Sequence, residues 1–172
     1  MLDEVTAADV LVVPGGFGVD RLCRDEAVLD WIRRMHATTR WTTSVCTGSL
    51  LLAAAGLLTG ICATTHWASR DALERYGAVY TEQRVVEHGK IITAAGVSSG
   101  IDMALHLLAL IGGEQLAKAV QLSIEYDPQP PFDAGSPAKA GPELVSLVCA
   151  RQPRERAGAH PINDRVLRRP TG

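Results

Sequence analysis

The sequence lacks the features of several classes of protein. Its four cysteines form no C-x-x-C pair and have no metal-ligand spacing, and no basic and apolar leader opens the chain. The most hydrophobic run, residues 50–58, is far shorter than the roughly 20 residues that cross a bilayer. These absences predict a cytoplasmic protein with free thiols, without a membrane span, a disulfide framework or a metal centre.

Charge is distributed unevenly along the 172 residues. Six arginines lie in residues 151–172 against one glutamate and one aspartate, a net charge of +4. Because the whole chain carries −2, the preceding 150 residues carry −6. No aromatic residue separates these arginines, so we expect a flexible, solvated tail over residues 150–172 and no nucleic-acid partner. Residues 1–149 have the size of one compact domain.

Short apolar runs alternate with amphipathic segments. The predicted strands are residues 9–13, 42–45, 63–67, 85–86 and 91–93, and the predicted helices are residues 19–37, 47–55, 69–76, 101–111 and 114–126. Strands that alternate with helices through short loops predict an α/β fold with a mostly parallel sheet covered on both faces. The helix at 101–111 is apolar nearly all round, so we expect it to be buried. Any site should lie at the carboxyl ends of the strands.

Cys46 lies where the second predicted strand gives way to a helix. Small residues surround it in S-V-C-T-G, as they surround the serine of a G-x-S-x-G nucleophile elbow. A sharp corner strains the backbone, and the amides at the start of a helix favour thiolate over thiol. The N–H of Thr47, with one from the loop of Gly15 and Gly16, would then hold negative charge on a substrate, close to Gly48.

A packing role for Cys46 remains the alternative, because a free cysteine is usually a small core residue. Cys23, Cys62 and Cys149 have no comparable context and are expected to be structural. The G-F-G triplet at residues 16–18 lacks the last glycine of a dinucleotide fingerprint, so no nucleotide cofactor is predicted.

Five histidines are candidate bases. His36, His88 and His160 lie at a helix end, in a turn and in the tail, so they are expected to face solvent. His106 lies inside an apolar helix and is expected in the core or an interface. His66 follows an extended run and is expected to border the pocket of Cys46, where it either orients substrate or only packs.

Five motifs, in order, resemble the ThiJ/PfpI superfamily and, within it, the isonitrile hydratases. They are V-L-V-V-P-G-G, S-V-C-T-G-S-L, G-L-L-T-G-x-x-A-T-T-H-W, G-V-S-S-G-I-D-M-A-L and V-Q-L-S-I-E-Y-D-P-Q-P-P-F-D-A-G-S-P. The resemblance covers residues 9–148. It implies a flavodoxin-like three-layer sandwich, a homodimer, no cofactor, and hydration of an isocyanide, R–N≡C, to a formamide, R–NH–CHO. It also implies that Cys46 is the nucleophile and that Thr47 lies beside it.

The start of the chain departs from the family's pattern. Family members have a strand, an acidic segment that supplies a proton, and further elements before the strand that corresponds to residues 10–13. Asp3, Glu4 and Asp9 do not match that segment. We therefore expect a domain that lacks the family's amino-terminal strand and helix, with a hydrophobic sheet edge, in either a fragment or an enzyme that uses another acid.

Three other functions remain open. Ligand-sensing domains of AraC-type transcription regulators carry similar motifs, and their cysteine need not react; residues 150–172 are too short and Pro-rich to form the DNA-binding portion. Peptidase-like or glyoxalase-like members typically have histidine after the cysteine, where Thr47 stands here. The third alternative is that the chain is an inactive remnant of such a protein, as the missing amino-terminal segment would suggest.

Overall fold

A computed structural model describes residues 4–151 of the chain. The strands are β1 (Val10–Val13), β2 (Trp41–Val45), β3 (Cys62–Ala63), β4 (Val79–Tyr80), β5 (Val85–His88) and β6 (Ile91–Ala94). The helices are α1 (Val19–Leu22), α2 (Glu26–Thr38), α3 (Gly48–Ala54), α4 (Arg70–Arg75), α5 (Ser99–Gly112), α6 (Glu114–Ser123), α7 (Pro137–Ala140) and α8 (Pro142–Arg151). Nearly all of the predicted tail, and His160 with it, lies outside the described residues.

A four-stranded sheet with the order β1-β2-β6-β5 forms the centre of the fold. β1, β2 and β6 are parallel, and the short turn at Gly89 makes β5 antiparallel to β6. β3 and β4 form a separate parallel pair. The prediction of an α/β fold with a mostly parallel sheet, of the flavodoxin-like class, is confirmed.

Both faces of the sheet are covered. Adjacent residues of a strand point to opposite faces, so neighbouring residues of β6 report on the two sides. Ile91 of β6 belongs to a core cluster with residues of β1 and of α1 to α4. Ile92, the next residue, belongs to a second cluster with Met103 and Leu107 of α5. The sheet therefore has a helical layer on each side.

β1 forms one edge of this sheet, and among residues 4–151 it pairs only with β2. Val12 is 52% exposed there. The expected hydrophobic edge is thus present in the described part of the chain. No helix within residues 4–151 is long and apolar enough to cross a bilayer.

The single helix predicted at residues 19–37 is wrong. The structure divides it into α1 and α2, because an Asp25 carboxylate oxygen accepts hydrogen bonds from the amides of Ala27 and Val28 at 3.1 and 3.4 Å. Such a side-chain cap satisfies amides that have no partner inside a helix, and it starts a new helix at Glu26.

Other predicted bounds also differ from the structure. The extended run at 63–67 shortens to β3, since a 3-10 turn begins at Trp67. α6 ends at Ser123, and Glu125 follows with φ 49°. The burial predicted for the helix at 101–111 is wrong, because Ile101 and Ile111 of α5 are 41% and 47% exposed and the sheet covers only one side of this helix. The sequence patterns did not predict α7 and α8.

Candidate functional site

Cys46 occupies the corner between β2 and α3 with φ 58°. In the described chain, only Glu125 is another non-glycine residue with positive φ. A residue with a Cβ in this region of backbone space costs roughly 1–2 kcal/mol. The strained corner expected from S-V-C-T-G is therefore observed.

Four hydrogen bonds hold the backbone of Cys46. Its amide donates to the carbonyl oxygens of Ala94 and Ala95 at 3.0 and 2.7 Å. Its carbonyl oxygen accepts from the hydroxyls of Ser49 and Thr65, each at 3.1 Å. Because the main chain is held from both sides, the strain is offset by tertiary contacts, and the half-buried thiol is the part of the residue left for chemistry.

The loop after β1 packs directly against this corner. A Cβ on Gly15 would lie 2.7 Å from the amide nitrogen of Thr47 and 2.9 Å from the Cβ of Cys46. A Cβ on Gly48 would lie 2.1 Å from the carbonyl oxygen of Val13. Both positions require glycine, because backbone occupies the space that any side chain would need.

The Thr47 side chain forms a hydrogen bond with the same loop. This buried hydroxyl accepts a hydrogen bond from the amide of Gly16 at 3.0 Å. The amide of Thr47 donates to no acceptor among residues 4–151. Of the amides expected to hold a substrate anion, that of Thr47 thus has no hydrogen-bond acceptor in the described chain, whereas that of Gly16 in the loop of Gly15 and Gly16 already donates to the Thr47 hydroxyl.

His66 lies beside the segments that hold Cys46. Thr65, which precedes it, donates to the Cys46 carbonyl, and a Cβ on Gly96 would lie 3.7 Å from Cδ2 of His66. The Nδ1 atom of His66 accepts from the amide of Ala68 at 3.3 Å and so caps a short 3-10 turn. This bond places the proton of a neutral His66 on Nε2.

The other histidines differ in part from expectation. His106 lies on the surface rather than in the core, because it is on the open side of α5, and its Nε2 is 2.7 Å from a carboxylate oxygen of Glu87. The alternative place in an interface stays a prediction. His36 is half-buried rather than solvent-facing, and its Nδ1 is 2.9 Å from the hydroxyl of Thr42. Burial lowers the pKa of His36, and the nearby Lys90 lowers it further. His88 is exposed, as predicted.

The remaining cysteines divide into two kinds. Cys23 is buried as expected, and burial raises the pKa of its thiol to about 11. Cys62 and Cys149 are exposed, so the structural role expected for them is not supported by packing. Within residues 4–151 no group of three or more His, Cys, Asp or Glu side chains is placed to hold a metal ion.

The sequence patterns missed Ser49, Thr65 and the Ala94–Ala95 pair as supports of Cys46. Thr65 stands in the A-T-T-H-W motif, but the motif does not indicate that its hydroxyl contacts Cys46, which is 19 residues away. The alanines gave no signal, because they act only through backbone carbonyls. A shallow groove of about 120 Å³ lies at Trp67 and residues 134–148; Cys46 does not line it.

Comparison with known proteins adds three findings. Residues 1–110 match the DJ-1/PfpI family. The chain is 50% identical over 143 residues to isonitrile hydratase of Pseudomonas putida, an alignment that covers 83% of this chain and 63% of that protein. It is 37% identical over 127 residues to the HTH-type transcriptional regulator CdhR of Pseudomonas aeruginosa, which covers 73% of this chain and 37% of the regulator.

Among solved structures, a ThiJ/PfpI family protein from Pseudomonas syringae superposes with a TM-score of 0.81 at 40% identity. The alignment covers 89% of this chain and 65% of that one. The chain thus spans less than two thirds of the length of these relatives.

Proposed function

The chain belongs to the DJ-1/PfpI family, and from that premise we propose that it is a cysteine-dependent isonitrile hydratase. Such an enzyme adds water to an isocyanide, R–N≡C, and releases the N-substituted formamide, R–NH–CHO. The observation that carries the proposal is the strained backbone of Cys46, whose amide and carbonyl are held by four hydrogen bonds. The thiol is the part of the residue that remains free to react. The 50% identity to isonitrile hydratase supports the choice of substrate class.

The proposed reaction has two steps. The Cys46 thiolate adds to the electrophilic terminal carbon of the isocyanide, and that carbon takes up one proton, which gives the thioimidate R–N=CH–S–Cys46. Water then adds to the same carbon, the C–S bond breaks, and the formamide leaves as the thiol re-forms. The sum is R–N≡C plus H₂O to R–NH–CHO, so no redox cofactor is needed.

The residues around Cys46 have separate tasks in this proposal. The N–H of Thr47 stabilises the negative charge that develops on the substrate nitrogen when water attacks the C=N carbon of the thioimidate, before that nitrogen takes up a proton. Gly15 and Gly48 allow the close backbone approach that forms this site, and the amide of Gly16 donates to the Thr47 hydroxyl beside it. His66 borders it and orients the substrate or the attacking water.

We also propose a cytoplasmic homodimer. α5 and α6 expose several large apolar side chains, and burying such a patch is the usual reason for self-association. The residues concerned are Ile101, Leu110, Ile111, Leu116 and Leu122. Sedimentation velocity would show a dimer at micromolar concentration, whereas a monomer would contradict this part of the proposal.

A ligand-sensing domain is the second candidate, because the 37% identity to CdhR covers most of this chain. In a sensing domain Cys46 would contact a small molecule without forming a covalent bond. The two functions therefore differ in whether substrate is consumed.

Formamide production from an aryl isocyanide by residues 1–172 tests the proposal. We expect turnover by the unchanged chain and by Cys62→Ser, in which an exposed thiol is removed as a control. Cys46→Ser should lose activity by roughly 10³-fold or more, as expected when a nucleophile is removed. Reversible binding of the isocyanide by the folded chain without formamide would instead support the sensing domain.

A further inference from the structure

Arg84, Asp102 and Tyr126 form a hydrogen-bonded network that joins three segments of the chain. Arg84, just before β5, contacts one carboxylate oxygen of Asp102 through Nε at 2.6 Å and through Nη2 at 2.5 Å. Tyr126, after α6, donates its hydroxyl to the other oxygen at 2.7 Å. Both oxygens of Asp102, in the first turn of α5, are therefore engaged.

This network reaches the corner at Cys46 through the loop between β6 and α5. The amide of Ala95 donates to the carbonyl oxygen of Arg84 at 2.9 Å, and the carbonyl oxygen of Ala95 accepts from the amide of Cys46 at 2.7 Å. At the other end of the loop, the Arg84 guanidinium donates to the hydroxyl of Ser98 at 3.3 Å. Arg84 thus holds the loop at both ends, with its carbonyl and with its side chain.

We infer that Arg84, Asp102 and Tyr126 are positioning residues for Cys46. They fix the loop of residues 95–98 where the Ala95 carbonyl holds the Cys46 amide, and so they maintain the strained backbone that presents the thiol. The effect on turnover rests on the proposed function, whereas the effect on the reactivity of the Cys46 thiol does not.

A contribution to global stability does not account for this arrangement. The side chains of Arg84 and Asp102 are 57% and 29% exposed, and ion pairs at such positions add little to the free energy of unfolding. An aspartate in the first turn of a helix is also favoured by the helix dipole without any partner. The hydrogen bond to Asp102 also raises the pKa of Tyr126.

α5 provides a matched control. His106 and Glu87 form a second pair between α5 and β5, at 2.7 Å and with comparable exposure. Neither residue contacts the loop of residues 95–98 in the described hydrogen bonds. Glu87→Gln therefore removes the carboxylate from a second hydrogen-bonded pair on the same helix without touching the supports of Cys46.

The test is the rate at which iodoacetamide alkylates Cys46, resolved by peptide mass spectrometry. The exposed Cys62 and Cys149 are internal references in the same molecule. We expect Asp102→Asn to slow alkylation of Cys46 by about tenfold and Tyr126→Phe by a smaller factor, since small misplacements of reacting groups have large effects on rate. Arg84→Lys keeps the charge and the backbone carbonyl, so it should slow alkylation of Cys46 by a factor between those of Asp102→Asn and Tyr126→Phe. The melting temperature, measured in parallel, should match that of Glu87→Gln.

Equal Cys46 alkylation in Asp102→Asn, Tyr126→Phe and Glu87→Gln would overturn the inference. Tyr126→Phe removes a single oxygen, so it gives a result even where Asp102→Asn does not fold. Selective slowing at Cys46 in a chain that makes no formamide would support the positioning role and reject the hydratase. If the chain does turn over, the same variants should lower kcat with KM unchanged.

Discussion

The backbone of Gly15 lies so close to Thr47 that a Cβ at Gly15 would stand 2.7 Å from the Thr47 amide nitrogen and 2.8 Å from its hydroxyl oxygen. Gly15→Ala should therefore push the loop after β1 away from the Cys46 corner, with a loss of roughly 1–3 kcal/mol in the free energy of unfolding. Gly18→Ala is the control, since Gly18 has φ −82° and open space around its Cβ position. Chemical denaturation that shows the same stability for both variants would contradict the close packing.

The backbone of Cys46 should be strained even without its thiol. At φ 58° alanine bears the penalty of a Cβ in the left-handed region and glycine does not. Cys46→Gly should therefore be more stable to urea than Cys46→Ala by about 1 kcal/mol. At Cys62, in β3, the order should reverse because glycine weakens a strand. A more stable Cys46→Ala would show that the corner is relaxed.

The four thiols should react in a fixed order with iodoacetamide. Cys46 should be labelled first, because its strained backbone presents a half-buried thiol at the corner between β2 and α3. Cys62 and Cys149, which are exposed, should follow. Cys23, whose pKa burial raises to about 11, should remain unlabelled at pH 8 until the protein unfolds. Labelling of Cys23 together with the exposed thiols in the folded protein would contradict its burial, and labelling of Cys46 no faster than theirs would contradict its activation.

Stability should depend on pH through His36. Burial and the nearby Lys90 lower the pKa of His36 in the fold, whereas a histidine in the unfolded chain has a pKa of about 6.5. The unfolded chain therefore binds a proton at higher pH, so this stability is present above that value and is lost as the pH falls through the folded-state pKa.

Urea denaturation at pH 7 and pH 5 measures this effect. The fall in the free energy of unfolding should be smaller in His36→Gln than in the unchanged protein. His88→Gln, at an exposed histidine, should show the full fall. An equal fall in all three proteins would exclude a contribution from His36.

Local patterns predicted the parts of the fold that depend on local sequence. Val10–Val13 and Trp41–Val45 are apolar or β-branched runs that were recognised as strands, and S-V-C-T-G marked the corner at Cys46. The break at Asp25 was missed because helical periodicity continues across it, while a side-chain cap competes with that periodicity.

Long-range contacts could not be predicted in this way. Thr65 contacts Cys46 across 19 residues, and Tyr126 contacts Asp102 across 24, so no local spacing signals either pair. The exposure of Ile101 and Ile111 was also missed, because hydrophobicity indicates which side chains favour burial and not which elements are present to cover them.

Mass spectrometry of the chain shortly after it is mixed with an aryl isocyanide tests the central claim most directly. The account predicts a transient adduct with the full mass of the isocyanide on the peptide that contains Cys46, which decays as formamide appears. Formamide that forms without such an adduct, and that still forms with Cys46→Ser, would contradict it.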